Sequence, residues 1–285
     1  MKILNVGDRV EAGSYRRHSC FRQVTNYARE AGPAALLCLV APPVGAGPIH
    51  IVIGGPLPDA EALSVEPGIL RIGAEGHALD TAPRFDSSLP KAPVRRDLAE
   101  SLAAHLVARA HPKSLAFLVD PARVSAFREG FERNLVRRVQ DGAEQLLGGD
   151  PARGFMLLRG CGFGLTPAGD DLLAGAWIGM KLAGTPFGPP AGSQPPVGKN
   201  VLSDTFLALA AEGRVNEAMK NLLAALGGDS PDRVREAADR VLAHGETSGA
   251  DVLTGLVLGM QKGTNAQQPT SHFQRRTGGP HDRSR

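Results

Sequence analysis

The chain has 285 residues, with 32 Lys+Arg against 29 Asp+Glu, 42% apolar and 5% aromatic residues. That length suits one large domain or two ordinary ones and closes a core without disulfides or a structural metal, while the 35 glycines and 22 prolines lack the three-residue period of collagen. The net charge of +3 does not mark a nucleic-acid binder: the last 22 residues hold four arginines and one acid, leaving 28 basic and 28 acidic residues before them, and duplex binding needs a clustered basic face.

From Ile3 to about Pro90 short apolar runs alternate with turn residues. The runs at 35–40, 49–53 and 69–72, punctuated by Gly45-Ala46-Gly47-Pro48 and Gly54-Gly55-Pro56, read as strands. One helix is expected among them over 19–30, where Phe21, Val24, Tyr27 and Ala28 fall at helical spacing and Gly32-Pro33 stops it. After Pro93 the period changes. Leu98, Leu102, Leu106 and Val107 predict a helix ending near His111-Pro112. Phe127, Phe131, Leu135 and Val139 stripe a second helix over 121–147, closed by Gly148-Gly149. The Pro- and Gly-rich stretch 184–199 reads as a mobile loop, and helices follow at about 200–212, 215–226 and 231–243. The expected class is α+β: a β-rich domain over 1–92, a helical domain over 93–263, and a disordered basic tail over 264–285.

Cys20, Cys38 and Cys161 are odd in number and form no CxxC pair. The N-terminus lacks the apolar core of a signal peptide, and no run of about 18 uncharged apolar residues offers a membrane span. The expectation is a soluble cytoplasmic protein with neither membrane nor nucleic acid as partner.

Two segments 80 residues apart resemble each other: 168–180 (AGDDLLAGAWIGM) and 248–260 (SGADVLTGLVLGM) share six of thirteen positions, which reads as an internal duplication of a glycine-rich loop–helix motif. In each copy a hydroxyl and a glycine precede an aspartate and an apolar helix. Thr166, Thr247 or Ser248 is suited to cap a helix start, with Pro167 as the first helical residue. Gly175 and Gly179, like Gly255 and Gly259, lie on one helix face and permit close approach, so the two helices are expected to pack together. That would gather Asp171, Asp251 and two helix N-termini, whose free amides bind anions. Asp170, Asp171 and Asp251 are the candidate catalytic carboxylates and a speculative ligand set for Mg²⁺, a hard ion that prefers oxygen. The upstream loop supplies Gly162, Gly164, Leu165 and Thr166, with Gly169, Ser248 and Gly249 completing a candidate substrate cradle; it is not a Walker A loop, since no Gly-Lys-Ser/Thr follows. The structural alternatives stand beside these. Capping alone accounts for Asp171, whereas Asp170 adds a charge that capping does not need. Cys161 has no histidine nearby, Trp177 reads as core, Arg16 and Arg17 suit an anion or a plain surface, and His244 suits a helix C-terminus facing the dipole.

Residues 164–175, GLTPAGDDLLAG, resemble the GLTPSGDDxLxG signature of the AllH-like family, whose namesake is a subunit of an oxamate carbamoyltransferase in allantoin breakdown. His18-Ser19-Cys20-Phe21 with Asn26 resembles its N-terminal pattern, and 248–251 resembles its second motif, so the likeness spans about residues 15–262. Ala168 departs from the usual serine, which removes one hydroxyl. The resemblance implies a carbamoyltransferase-like subunit of purine-derived nitrogen metabolism. Its expected ligands are carbamoyl phosphate, oxamate or a similar small anion, and other subunits of a complex are its expected partners. It adds His18 to the catalytic candidates and Ser19 and Asn26 to the substrate-binding ones. The alternative is a noncatalytic ligand-binding or scaffolding subunit. The sequence also allows a homo-oligomer.

Overall fold

A computed structural model describes residues 1–32, 35–128, 130–162, 164–185 and 200–266, with side chains as far as Lys262 at the C-terminal end. The loop expected over 184–199 lies outside these residues except for its first two. The basic tail expected over 264–285 lies outside them except for its first three, which continue the last helix. The N-terminal part holds nine strands: β1 Ile3–Gly7, β2 Gly13–Cys20, β3 Val24–Arg29, β4 Leu36–Val40, β5 His50–Ile53, β6 Ala62–Glu66, β7 Ile69–Ile72, β8 Glu75–Ala78 and β9 Arg84–Phe85. They form one mixed sheet in the order β8-β7-β6-β2-β3-β4-β5-β1-β9. β4 is buried along its whole length, as a central strand covered on both faces must be. Leu37 and Leu39 point into a cluster built from strands and their loops, with Val6, Tyr15, Tyr27, Ile51, Ile53 and Leu70. Leu36, Cys38 and Val40 point the other way, onto Leu202 and Leu209 of the helical part.

The helix expected over 19–30 is instead the hairpin of β2 and β3. Val24, Thr25 and Tyr27 favour extended backbone, and β3 pairs with β2 on one side and β4 on the other. Tyr27 fills the strand cluster while Val24 and Ala28 face the opposite cluster, so the apparent helical spacing served two faces of a sheet. The β2–β3 register shifts between Arg17 and Ser19, a bulge at His18.

The C-terminal part comprises α1 Arg96–Arg109, α2 Gly130–Gly148, α3 Pro151–Leu158, α4 Ala168–Leu182, α5 Val201–Ala211, α6 Glu217–Leu226, α7 Pro231–Leu242 and α8 Ser248–Ala266. The continuous helix expected over 121–147 is broken. A 3-10 helix spans Pro121–Ala126, started by the Asp120 carboxylate accepting from the Ala122 N–H, and Phe127 is extended before α2 begins. Phe127 is buried edge-to-face on Phe117, whereas Phe131, expected on the same stripe, is 62% exposed. α3 is an additional helix that the apolar spacing alone did not suggest, capped by Asp150. The helical core is one continuous cluster, with Trp177 buried and stacked on Phe155.

At its centre α4 and α8 run parallel in close contact. A methyl on Gly175 would overlap the Val252 carbonyl, and one on Gly255 would overlap the Leu172 carbonyl. Gly179 and Gly259 stand in the same relation to Leu256 and Ala176. Contacts that rise together along both helices require parallel axes, so both N-termini emerge at the same end.

Candidate functional site

That end opens into a cleft of about 740 Å³ between the sheet and the helices. Most of its wall is apolar, and its polar groups gather where α4 and α8 begin. The α4 start is shaped by the glycine loop. Gly160, Gly162 and Gly164 have φ of +65, +113 and +100°, a region side chains avoid. Gly169 allows α4 to approach the Leu158 carbonyl, and Gly249 allows α8 to approach the Val241 carbonyl. These two glycines are explained by helix contact. Gly249 also lines the cleft and Gly169 does not.

Pro167 occupies the N-cap of α4 without a side-chain cap bond, so Thr166 does not cap the helix as expected. Its hydroxyl donates to Asp171 Oδ2 at 3.0 Å and lies 3.2 Å from the Ser248 hydroxyl. Thr166, Asp171 and Ser248 thus join the starts of α4 and α8 at the cleft. Asp171 is not the cap that its position suggested. Burial pushes its carboxyl up to about 8, against the opposing effect of the Ser248 hydroxyl and with the help of the Asp251 charge. Near neutral pH it carries a proton and can donate.

The two remaining aspartates serve other surroundings. Asp170 is 3% exposed and turned away, accepting from the Gly160 N–H at 2.9 Å and pairing with Arg159 at 2.8 Å. Arg159 also holds Asp204 of α5 at 2.5 Å, so Asp170 clamps the glycine loop. Asp251 is fully buried, and its Oδ1 accepts from the Leu115 N–H at 2.6 Å. Burial pushes it up to about 7 although the Leu115 amide and the nearby Thr247 hydroxyl favour its charge. Its Oδ2 completes no hydrogen bond. Among the described residues no group of three or more His, Cys, Asp or Glu is placed to hold a metal ion.

Of the other expected residues, Gly162, Gly164, Leu165, Thr166, Ser248, Gly249 and Asn26 line the cleft, while Ser19 and His18 do not. His18 is exposed on the bulge, 3.2 Å from Ser19 Oγ, and Asn26 donates to that same oxygen at 3.0 Å. Arg16 and Arg17 pair with Glu30 and Asp59. Burial raises the Cys161 thiol, which keeps it protonated and unreactive. Lys113, Arg214 and His111 bring positive or titratable groups to the wall, and His50 and His244 stand there too. Sequence reading passed over His50, although a histidine beginning the buried strand HIVI was a visible signal.

Among the described residues no helix is long and apolar enough to cross a membrane. No solved structure matches the chain significantly. Residues 158–260, which contain the glycine loop, α4 and the greater part of α8, match the model of the family described as oxamate carbamoyltransferase subunit AllH.

Proposed function

We propose that this chain is a subunit of a carbamoyltransferase-like enzyme that binds a small anionic substrate where α4 and α8 begin. The observation that carries this reading is the parallel pairing of the two glycine-faced helices. Parallel dipoles repel, and the pair becomes favourable when a negative group sits at their shared positive end. We infer that the two copies arose by duplication, since each helix presents the same glycines to the other.

A doubly charged ligand beside three ionised aspartates would be repelled. The arrangement avoids this in two ways. Asp170 is neutralised by Arg159, and Asp171 holds a proton that it can offer to the ligand, while the Thr166 hydroxyl directs its own proton at Asp171 Oδ2. Lys113 also stands at the wall, paired with Glu132. When a nucleophile attacks the carbamoyl carbon of carbamoyl phosphate, the C–O bond to phosphate breaks and the electron pair leaves on the phosphate oxygen. Donors preorganised around that oxygen stabilise the departing charge. Ala168 places a methyl at this wall, where the resemblance expects a hydroxyl, so one donor fewer reaches the ligand.

Thermal unfolding of the full chain with carbamoyl phosphate, phosphate, oxamate and Mg²⁺, each added alone and together, tests the reading. A ligand that binds only the native state raises the midpoint. Carbamoyl phosphate should raise it in the wild type and in Asp171→Asn, which keeps a neutral donor, and not in Asp171→Ala or the double variant Thr166→Ala/Ser248→Ala. No shift with any addition, and variants that are merely less stable, would leave a scaffolding subunit as the reading.

A further inference from the structure

Two histidines line the cleft, one from the sheet and one from the helices. His50 opens β5, and its ring lies so close to Gly47 that a Cβ there would come within 2.7 Å of it. Its Nδ1 is 3.1 Å from the Gly45 carbonyl. A carbonyl only accepts, so the ring proton sits on Nδ1 and Nε2 keeps its lone pair. Gly45 is itself held in place: its φ is +81°, and the next residue, Ala46, exchanges two hydrogen bonds of 2.8 Å with Glu217 at the start of α6. His244 makes the same kind of contact from the helical part, with Nδ1 3.0 and 3.2 Å from the Arg240 and Val241 carbonyls at the end of α7, which again places a proton on Nδ1. Among the described residues neither Nε2 has a hydrogen-bond partner. Burial keeps His50 neutral, and it lines the same cleft as His244.

The α4 and α8 end of the cleft is made of donors, which suit an anion. Two Nε2 atoms turned from their carbonyl partners suit the opposite kind of group. We propose that His50 and His244 are paired acceptors that select a ligand bearing N–H donors beside its anionic end, as a carbamoyl or carboxamide group does, over an acyl group of the same shape. This rests on the anion site proposed above and adds what it lacks, a way to tell an amide from a methyl.

Calorimetric titration of the full chain with carbamoyl phosphate and acetyl phosphate tests it, because the two differ only in NH₂ against CH₃. Inorganic phosphate is the reference. A neutral hydrogen bond corresponds to a several-fold change in affinity. The wild type should therefore bind carbamoyl phosphate about tenfold or more tighter than acetyl phosphate. His50→Leu and His244→Leu should each bring that ratio several-fold closer to one, with acetyl phosphate bound as before. His244→Gln, which keeps an acceptor, should retain most of the preference. Equal wild-type affinities, or a ratio unchanged in the leucine variants, would overturn the acceptor pair and leave the anion site standing. Binding of none of the three would overturn both. Should His50→Leu fail to fold, His244→Leu, on the partly exposed turn before α8, decides alone.

Discussion

Asp170 and Asp171 are adjacent in the chain and work in opposite directions. Asp170 bridges the Gly160 amide and Arg159, so Asp170→Asn leaves a buried guanidinium with Asp204 as its remaining partner. We expect it to cost about 2–3 kcal/mol in urea unfolding while the ligand-induced rise in midpoint survives. Asp171 differs because its carboxyl is raised to about 8. Below about pH 4 the group is protonated in both folded and unfolded chains and has no effect. As pH rises from there toward 8 the unfolded chain loses the proton first, so the stability present at low pH is lost across that window. Asp171→Asn removes this slope. Between pH 5 and 8 the wild type should lose a few kcal/mol relative to the variant, measured by urea unfolding at each pH. Equal slopes would show that Asp171 is ionised in the fold. The sequence offered both as candidate site residues, with capping enough to account for Asp171 and Asp170 adding a charge that capping does not need. Which way a side chain at a helix start points depends on what lies beside it, here Arg159 on one side and Ser248 on the other.

Among the elements, α4 and α8 depend most on single atoms. Gly255→Ala would drive a methyl into the Leu172 carbonyl, which only separation of the helices relieves. We expect a loss of at least about 3 kcal/mol and loss of ligand binding with it, since the two N-termini would move apart. Gly148→Ala, at the exposed end of α2 with nothing within 4 Å, is the control and should be neutral or stabilising by up to about 1 kcal/mol. The glycine spacing was legible in the chain, and so was the contact it permits. The gathering of both N-termini was expected with it, although GxxxG faces pack in either direction and only the contacts of Gly175 with Val252 and of Gly255 with Leu172 fix the parallel sense. The β2–β3 hairpin was misread for a related reason. A four-residue window cannot distinguish one helical stripe from two sheet faces, and the pairing of β3 with both β2 and β4 decided it.

At the scale of the molecule, the sheet and the helices that bound the cleft meet through the apolar cluster of β4 with Leu202 and Leu209 and through a few polar ties. Ala46 and Glu217 exchange hydrogen bonds, and Asp8 joins Arg214 at 3.1 Å and the Ser87 hydroxyl at 2.6 Å. Glu217→Ala should cost about 1–2 kcal/mol and release the Gly45–Ala46 turn that orients His50, weakening ligand-induced stabilisation more than global stability. Comparing the two shifts by calorimetry and urea unfolding checks this. Composition and period by themselves determined the change from strands to helices near residue 92, the balance of charge in the body, and the glycine-rich motif at the start of α4. Those are local properties, written in spacing and residue type. The tertiary structure decided which aspartate faces the cleft, that His18 stands on an exposed bulge, and that His50 and His244 share a wall. Such facts depend on how the strands and helices pair and pack in space, and no local pattern carries them.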